Sequence, residues 1–118
     1  MGLTSVKFTV ANPADLNRSH EVSFLVDSGA VFSVVPPGTL SAIGLEPPAV
    51  ESFFMADGQE IQREVSSAIF SYEGKRGAAP VIFGEENDSP LLGVTTLEAL
   101  GLVLHPLQRE LKPMVLRI

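Results

Sequence analysis

Glycine and proline interrupt this chain so often that no long helix fits into it. Ten Gly and nine Pro are spread over 118 residues, leaving room for short extended segments joined by turns. Val6, Phe8 and Val10 alternate with Ser5, Lys7 and Thr9, which reads as a strand with one buried face. A polar loop at Asn12-Pro13, extending through His20, separates it from Glu21–Val26 (EVSFLV). This second strand ends apolar on both faces, as a central strand does. Val31–Val35 is a further β-branched strand, stopped by Pro36-Pro37, whose two missing N–H donors end a ladder. Thr39–Ile43 has room for one helical turn, ended by Gly44. Val50–Met55 and Glu60–Tyr72 flank Asp57-Gly58, whose preference for positive φ predicts a protruding hairpin. Pro80–Phe83 reads as a short strand and Glu85–Pro90 as a polar turn. Thr96–Leu100 is the one helix expected, with Thr95 and Glu98 as a capping box and Gly101 as its stop. Leu102–Leu104 and Met114–Ile118 read as final strands. The sum is an all-β chain with one short C-terminal helix, a single domain over residues 1–118.

Composition removes several classes of function. Charged residues are 19% of the chain and hydrophobic ones 45%, which argues against intrinsic disorder. The absence of cysteine excludes disulfides, thiolate metal sites and a Cys nucleophile. Two histidines, His20 and His105, make no metal cluster, so no metal and no cofactor is expected. A net charge of −6 argues against nucleic acid or an anionic membrane as partner. The stretch MGLTSVKFTV has no basic region followed by an apolar core, and no apolar run reaches the length of a membrane span. The expectation is a cytoplasmic protein.

Chemistry concentrates in Phe24-Leu25-Val26-Asp27-Ser28-Gly29-Ala30. A carboxylate follows three apolar residues, so the strand that carries it predicts a dry, rigid setting, costly for an ionised group unless it is paired or hydrogen-bonded. Gly29 lets the backbone turn sharply, and the Ser28 hydroxyl is free to bond across an interface. A serine triad has no support, because G-x-S-x-G is missing, and no glycine-rich phosphate loop occurs.

Two more features stand in order along the chain: the Ala56-Asp57-Gly58 turn and Leu91-Leu92-Gly93 ahead of the helix. With the segment Leu25–Ala30, they make the sequence resemble the retropepsin-like aspartic proteases, single-domain relatives of the retroviral enzymes. The resemblance runs from about Lys7 to Pro113, and LLGVTTLEALGL is especially similar to small non-viral members. It implies a closed, barrel-like acid protease half, with Asp27 as the catalytic carboxylate and Ser28, Gly29 and Ala30 as the supporting loop. It further implies that Ala56, Asp57 and Gly58 form the tip of a flap, and that Leu91, Leu92 and Gly93 thread beside the catalytic loop. Ser28 stands for the commoner Thr, and Asp57 for a glycine-rich tip. His105-Pro106 replaces Asp-Pro, and His105 reads as a surface turn residue.

Peptide hydrolysis by carboxylates needs two of them around one water. The chain has one Asp-Ser-Gly, and Asp15, Asp57 and Asp88 do not repeat its setting. The resemblance therefore implies a homodimer with Asp27 from each chain, held in part by Lys112–Ile118 as an interleaving strand. An extended polypeptide would be the substrate, its side chains lying against Val34, Phe53, Phe54, Met55 and Ile61. The competing reading is a catalytically silent dimeric module that keeps the fold for peptide binding or as a scaffold.

Overall fold

The computed structural model describes residues 4–46, 49–105, 107, 109–115. Nine strands and two short helices are present among them: β1 Ser5–Asn12, β2 Asp15–Val26, β3 Ser33–Val35, α1 Pro37–Ala42, β4 Ala49–Phe54, β5 Glu60–Tyr72, β6 Lys75–Phe83, β7 Leu91–Leu92, α2 Val94–Ala99, β8 Leu102–His105 and β9 Glu110–Pro113. The main sheet runs β1-β2-β7-β3-β6-β5-β4, and β1 also pairs with β5 through Thr9↔Ser71 to Ala11↔Ile69. That extra pairing closes six strands on themselves and leaves β4 outside the ring as one arm of a hairpin. Closure removes the sheet edges that β1 and β5 would otherwise expose.

Period-2 patterning fills the interior. Phe8, Val10, Phe24, Phe70 and Val81 are all essentially inaccessible, and burial of each such side chain contributes about 2 kcal/mol. Phe8 meets Phe24 edge-on at 6.0 Å and stacks on Tyr72 at 4.8 Å. Leu92, Leu97, Leu100, Leu102 and Leu111 complete the same cluster, so α2 and the β8–β9 hairpin seal one end of the barrel.

Several boundaries differ from those expected. The second strand starts at Asp15 and not Glu21, so His20 lies in an exposed strand segment. Asp15–Glu21 is exposed throughout and is extended because β1 pairs with it, through a bulge at Ala11/Asn12. Pro80–Phe83 proves to be the end of a nine-residue strand. Its hairpin with β5 turns at Glu73 and Gly74, both at positive φ (46° and 82°). Lys75 and Arg76 open β6.

The helical turn at residues 39–43 is a true second helix, α1, so the expectation of a single helix is corrected. Pro37 opens it, and Gly44 (φ 82°) closes it with Leu45 N–H to Leu40 O at 3.0 Å and Gly44 N–H to Ser41 O at 2.9 Å. The Thr95–Glu98 capping box does not form. Helix α2 starts earlier, with Gly93 at its N-cap and no side-chain cap; loop carbonyls take the free N–H groups instead. The final strand is Glu110–Pro113, paired with β8, whereas Met114 and Val115 are not in a strand and residues 116–118 lie outside the described residues. His105 ends β8 opposite Glu110, not in a turn.

Candidate active site

Asp27 follows directly on β2, and its loop is tied to the barrel by main-chain hydrogen bonds. Asp27 N–H donates to Leu92 O at 3.0 Å, and Ala30 N–H donates to Asp27 O at 3.0 Å. Gly29 N–H donates to Asp27 Oδ1 at 2.9 Å, which fixes the carboxylate rotamer. On the far side of the loop, Val94 N–H donates to Ala30 O at 2.8 Å and Thr95 N–H to Val31 O at 3.0 Å. The first turn of α2 is therefore capped by the Asp27 loop.

Leu91 and Leu92 make this possible. As β7 they pair in parallel with Leu25 and Val26 and antiparallel with Val34, inserting between β2 and β3. Gly93 is required by close approach, because a Cβ there would lie 2.5 Å from the Phe32 carbonyl carbon. Beneath it Gly93 N–H donates to Ser33 Oγ at 2.9 Å, and Ser33 Oγ is 2.5 Å from Thr96 Oγ1. Both hydroxyls are fully buried. Sequence reasoning missed this pair; the only signal was a small polar residue at an inward position of an apolar strand and another in the first turn of the helix.

The carboxylate setting differs from the expected one. Asp27, Ser28 and Gly29 are exposed in the single chain, with Ala30 half-buried. The apolar end of β2 anchors the loop without covering its tip, so any dry environment has to come from outside the chain.

The tip of the β4–β5 hairpin has a different turn from the one expected. Gly58 N–H donates to Met55 O and Met55 N–H to Gln59 O, each at 2.8 Å, and only Gly58 has positive φ (86°). Ala56, Asp57 and Gly58 thus form a three-residue loop closed by a left-handed glycine, and Asp57 does not take the positive φ that an Asp-Gly turn favours. Asp57 Oδ1 accepts from Gln59 N–H at 2.9 Å, and Ala56, Asp57 and Gly58 are exposed.

Between hairpin and loop lies an open cleft of about 510 Å³, lined by Ala30, Val34, Phe53, Met55, Ile61 and Leu91 among others. Phe53 crosses to Phe32 edge-on at 5.9 Å, linking the hairpin to the loop that follows Asp27. Phe54 is 75% exposed and is not part of the cleft, since successive strand residues face opposite sides and Phe53 takes the inner one. A second groove, about 310 Å³, runs past Ser28 along Leu97, Leu102, Val103 and Met114. Among the described residues no three His, Asp or Glu side chains gather as a metal site would require, and no helix is long and apolar enough to cross a membrane.

No model of a known protein family matches the sequence, and no curated protein matches it. Solved structures do. The Simian Foamy Virus (mac) protease aligns over 79% of this chain and 92% of its own, with 20% identity and a TM-score of 0.54. A retropepsin-like aspartic protease from Rickettsia conorii aligns over 88% of this chain and 77% of its own, with 18% identity and a TM-score of 0.58. A foamy viral protease–reverse transcriptase covers 98% of this chain with 13% of its own length, at 15% identity and a TM-score of 0.59. With six strands closed into a barrel, β7 threaded between β2 and β3, and these likenesses, the chain has the fold of the retropepsin-like aspartic proteases.

Proposed function

We propose that this protein is an aspartic endopeptidase that acts as a homodimer, with Asp27 of each chain forming the catalytic pair. The observation that carries the reading is the contrast at Asp27: an exposed carboxylate on a loop held at both ends by main-chain bonds to β7 and α2. A rigid loop that presents a solvent-facing acid beside an apolar cleft is half of a hydrolytic site. The remaining half is a second carboxylate, and a two-fold axis beside Ser28 supplies it from an identical chain. The groove past Ser28, with Val103 (39% exposed) and Met114 along it, supports an apolar contact between copies there.

Two carboxylates ~3 Å apart repel by about 5 kcal/mol at an effective dielectric near 20, so the pair holds one proton between them. The ionised member takes a proton from water while the protonated member polarises the scissile carbonyl. Substrate lies extended in the cleft, and the β4–β5 hairpin, with Ala56, Asp57 and Gly58 at its tip, closes over it as a flap. Ser28, Gly29 and Ala30 position the carboxylate, and Leu91, Leu92 and Gly93 brace the loop from below.

The test is cleavage of casein and of a peptide library from acidic to neutral pH by wild type and Asp27→Asn, with sedimentation of both. Turnover by a dimeric wild type, lost in a variant that still dimerises, supports the reading. Equal turnover by both overturns it, and binding without turnover at any pH transfers the assignment to a silent peptide-binding module.

A further inference from the structure

The cleft beside Asp27 carries two charged side chains, Arg63 and Asp88, on walls that are apolar apart from Ser89. They are not equivalent. The Arg63 guanidinium is engaged twice, with Nη2 3.5 Å from Glu85 Oε1 and Nη1 donating to Gln62 O at 2.9 Å. Asp88 uses Oδ2 to accept Glu85 N–H at 2.7 Å, and no cation of the described residues forms an ion pair with it. Arg63 is thus matched by Glu85, while the Asp88 charge on the cleft wall has no matching cation among the described residues. Gly84 brings the carboxylate against the apolar wall: a Cβ there would lie 2.8 Å from Val34 Cγ1 and 2.9 Å from Asp88 Oδ2.

We propose that Asp88 makes this cleft selective for a substrate side chain with an apolar stem and a cationic head, lysine or arginine. The inference rests on the peptide-cleaving reading of the same site and names the side chain that it takes. The methylene stem covers Val34, Phe53 and Ile61, while the head reaches the carboxylate at the cleft edge, as long basic side chains do where apolar surface meets water. A methionine fills the same walls and leaves the charge unmet. A glutamate meets a like charge.

The experiment separates binding from turnover. Dye-labelled peptides of one sequence, with Lys, Arg, Met or Glu placed at each position in turn, are titrated into Asp27→Asn protein and read by fluorescence anisotropy. At one position Lys and Arg bind roughly three- to tenfold tighter than Met, the size of a partly solvated ion pair, and Glu binds weakest. In Asp27→Asn/Asp88→Asn, where the amide oxygen still accepts the Glu85 N–H, the Lys-to-Met ratio collapses to about one. Met binding as well as Lys at every position, or a Lys preference that survives Asp88→Asn, overturns the proposal. A Lys preference in a protein that cleaves nothing sustains it and removes the endopeptidase reading alone.

Discussion

Two turns of this molecule have the same local chemistry and opposite tertiary circumstances. In the Asp27 turn and in the Asp57 turn, an aspartate Oδ1 accepts the N–H of the residue two positions on, each at 2.9 Å. Asp15 does the same with Asn17 at 3.1 Å. What separates them is the next shell of bonds. The Asp27 loop receives and gives main-chain hydrogen bonds to Leu92, Val94 and Thr95, whereas the Asp57 turn is closed by Met55 and Gln59 of its own hairpin. On the proposed reading, a carboxylate that has to meet a partner within ångströms gains from the first arrangement, because a positioned group loses little freedom at the transition state. On the same reading, a hairpin tip that has to move aside as a flap gains from the second.

That contrast predicts its largest effect in turnover. Asp27→Asn should lower kcat/KM on a fluorogenic peptide by roughly a thousandfold, the size of a lost acid–base group. Asp57→Asn keeps the turn-closing oxygen and should stay within about twofold. Comparable losses in both would break the distinction.

A smaller effect lies in stability. Gly93→Ala drives a methyl into the Phe32 main chain and should cost about 3 kcal/mol in urea unfolding, as overpacking of a tight contact does. Gly58→Ala meets nothing within 4 Å and bears only the strain of φ 86°, about 1 kcal/mol. Equal costs would show that the Asp27 side of the molecule is no better anchored than the hairpin tip.

The buried hydroxyl pair sharpens the same point. Ser33→Ala or Thr96→Val leaves a buried polar atom without its partner and should cost about 2 kcal/mol each. The double variant should cost less than the sum, because the two losses share one bond. Additive costs would mean that the pair does not act as a unit beneath Gly93.

The least of these effects concerns pH. The single tyrosine, Tyr72, is pushed up to about 12, first by its hydrogen bond with Glu73, then by burial and by the charges of Glu73 and Glu110. Folding holds the phenol proton more tightly than the unfolded chain does. The associated stability is therefore complete below pH 10 and is lost as pH rises from 10 through about 12. Ultraviolet titration of the phenolate should show a midpoint near 12 when folded and near 10 in denaturant; coincident midpoints would dismiss the Glu73 contact.

Much of the barrel was legible because period-2 patterning reports burial directly. Val6 to Val10 and the apolar end of β2 carry that signal, and Gly44 and Gly101 stop helices where their freedom at positive φ allows. The first half of β2 was not legible, since Asp15–Glu21 is exposed throughout and is extended only because β1 lies beside it. The charged pair Lys75-Arg76 reads as solvated turn residues, yet the β5–β6 turn lies at Glu73 and Gly74, because Glu73 occupies a positive-φ site that its residue type does not announce. Thr95 looks like a cap from its neighbours, yet the donors it would have served find Ala30 and Val31 carbonyls instead.

By itself the sequence determined where most strands alternate, several of the places where the chain turns, and that Asp57 sits in a hairpin turn. Those properties depend on residues within a few positions of each other. Only the tertiary structure decided which aspartate is braced, because the brace is assembled from Leu92, Gly93, Ser33 and Thr96, brought together from distant parts of the chain. It also decided that the barrel closes through β1 and β5, and that the Asp27 carboxylate faces outward instead of into the core. Local patterns set short-range hydrogen bonds and the face that a side chain takes; long-range packing sets which of the aspartates sharing that contact is held still.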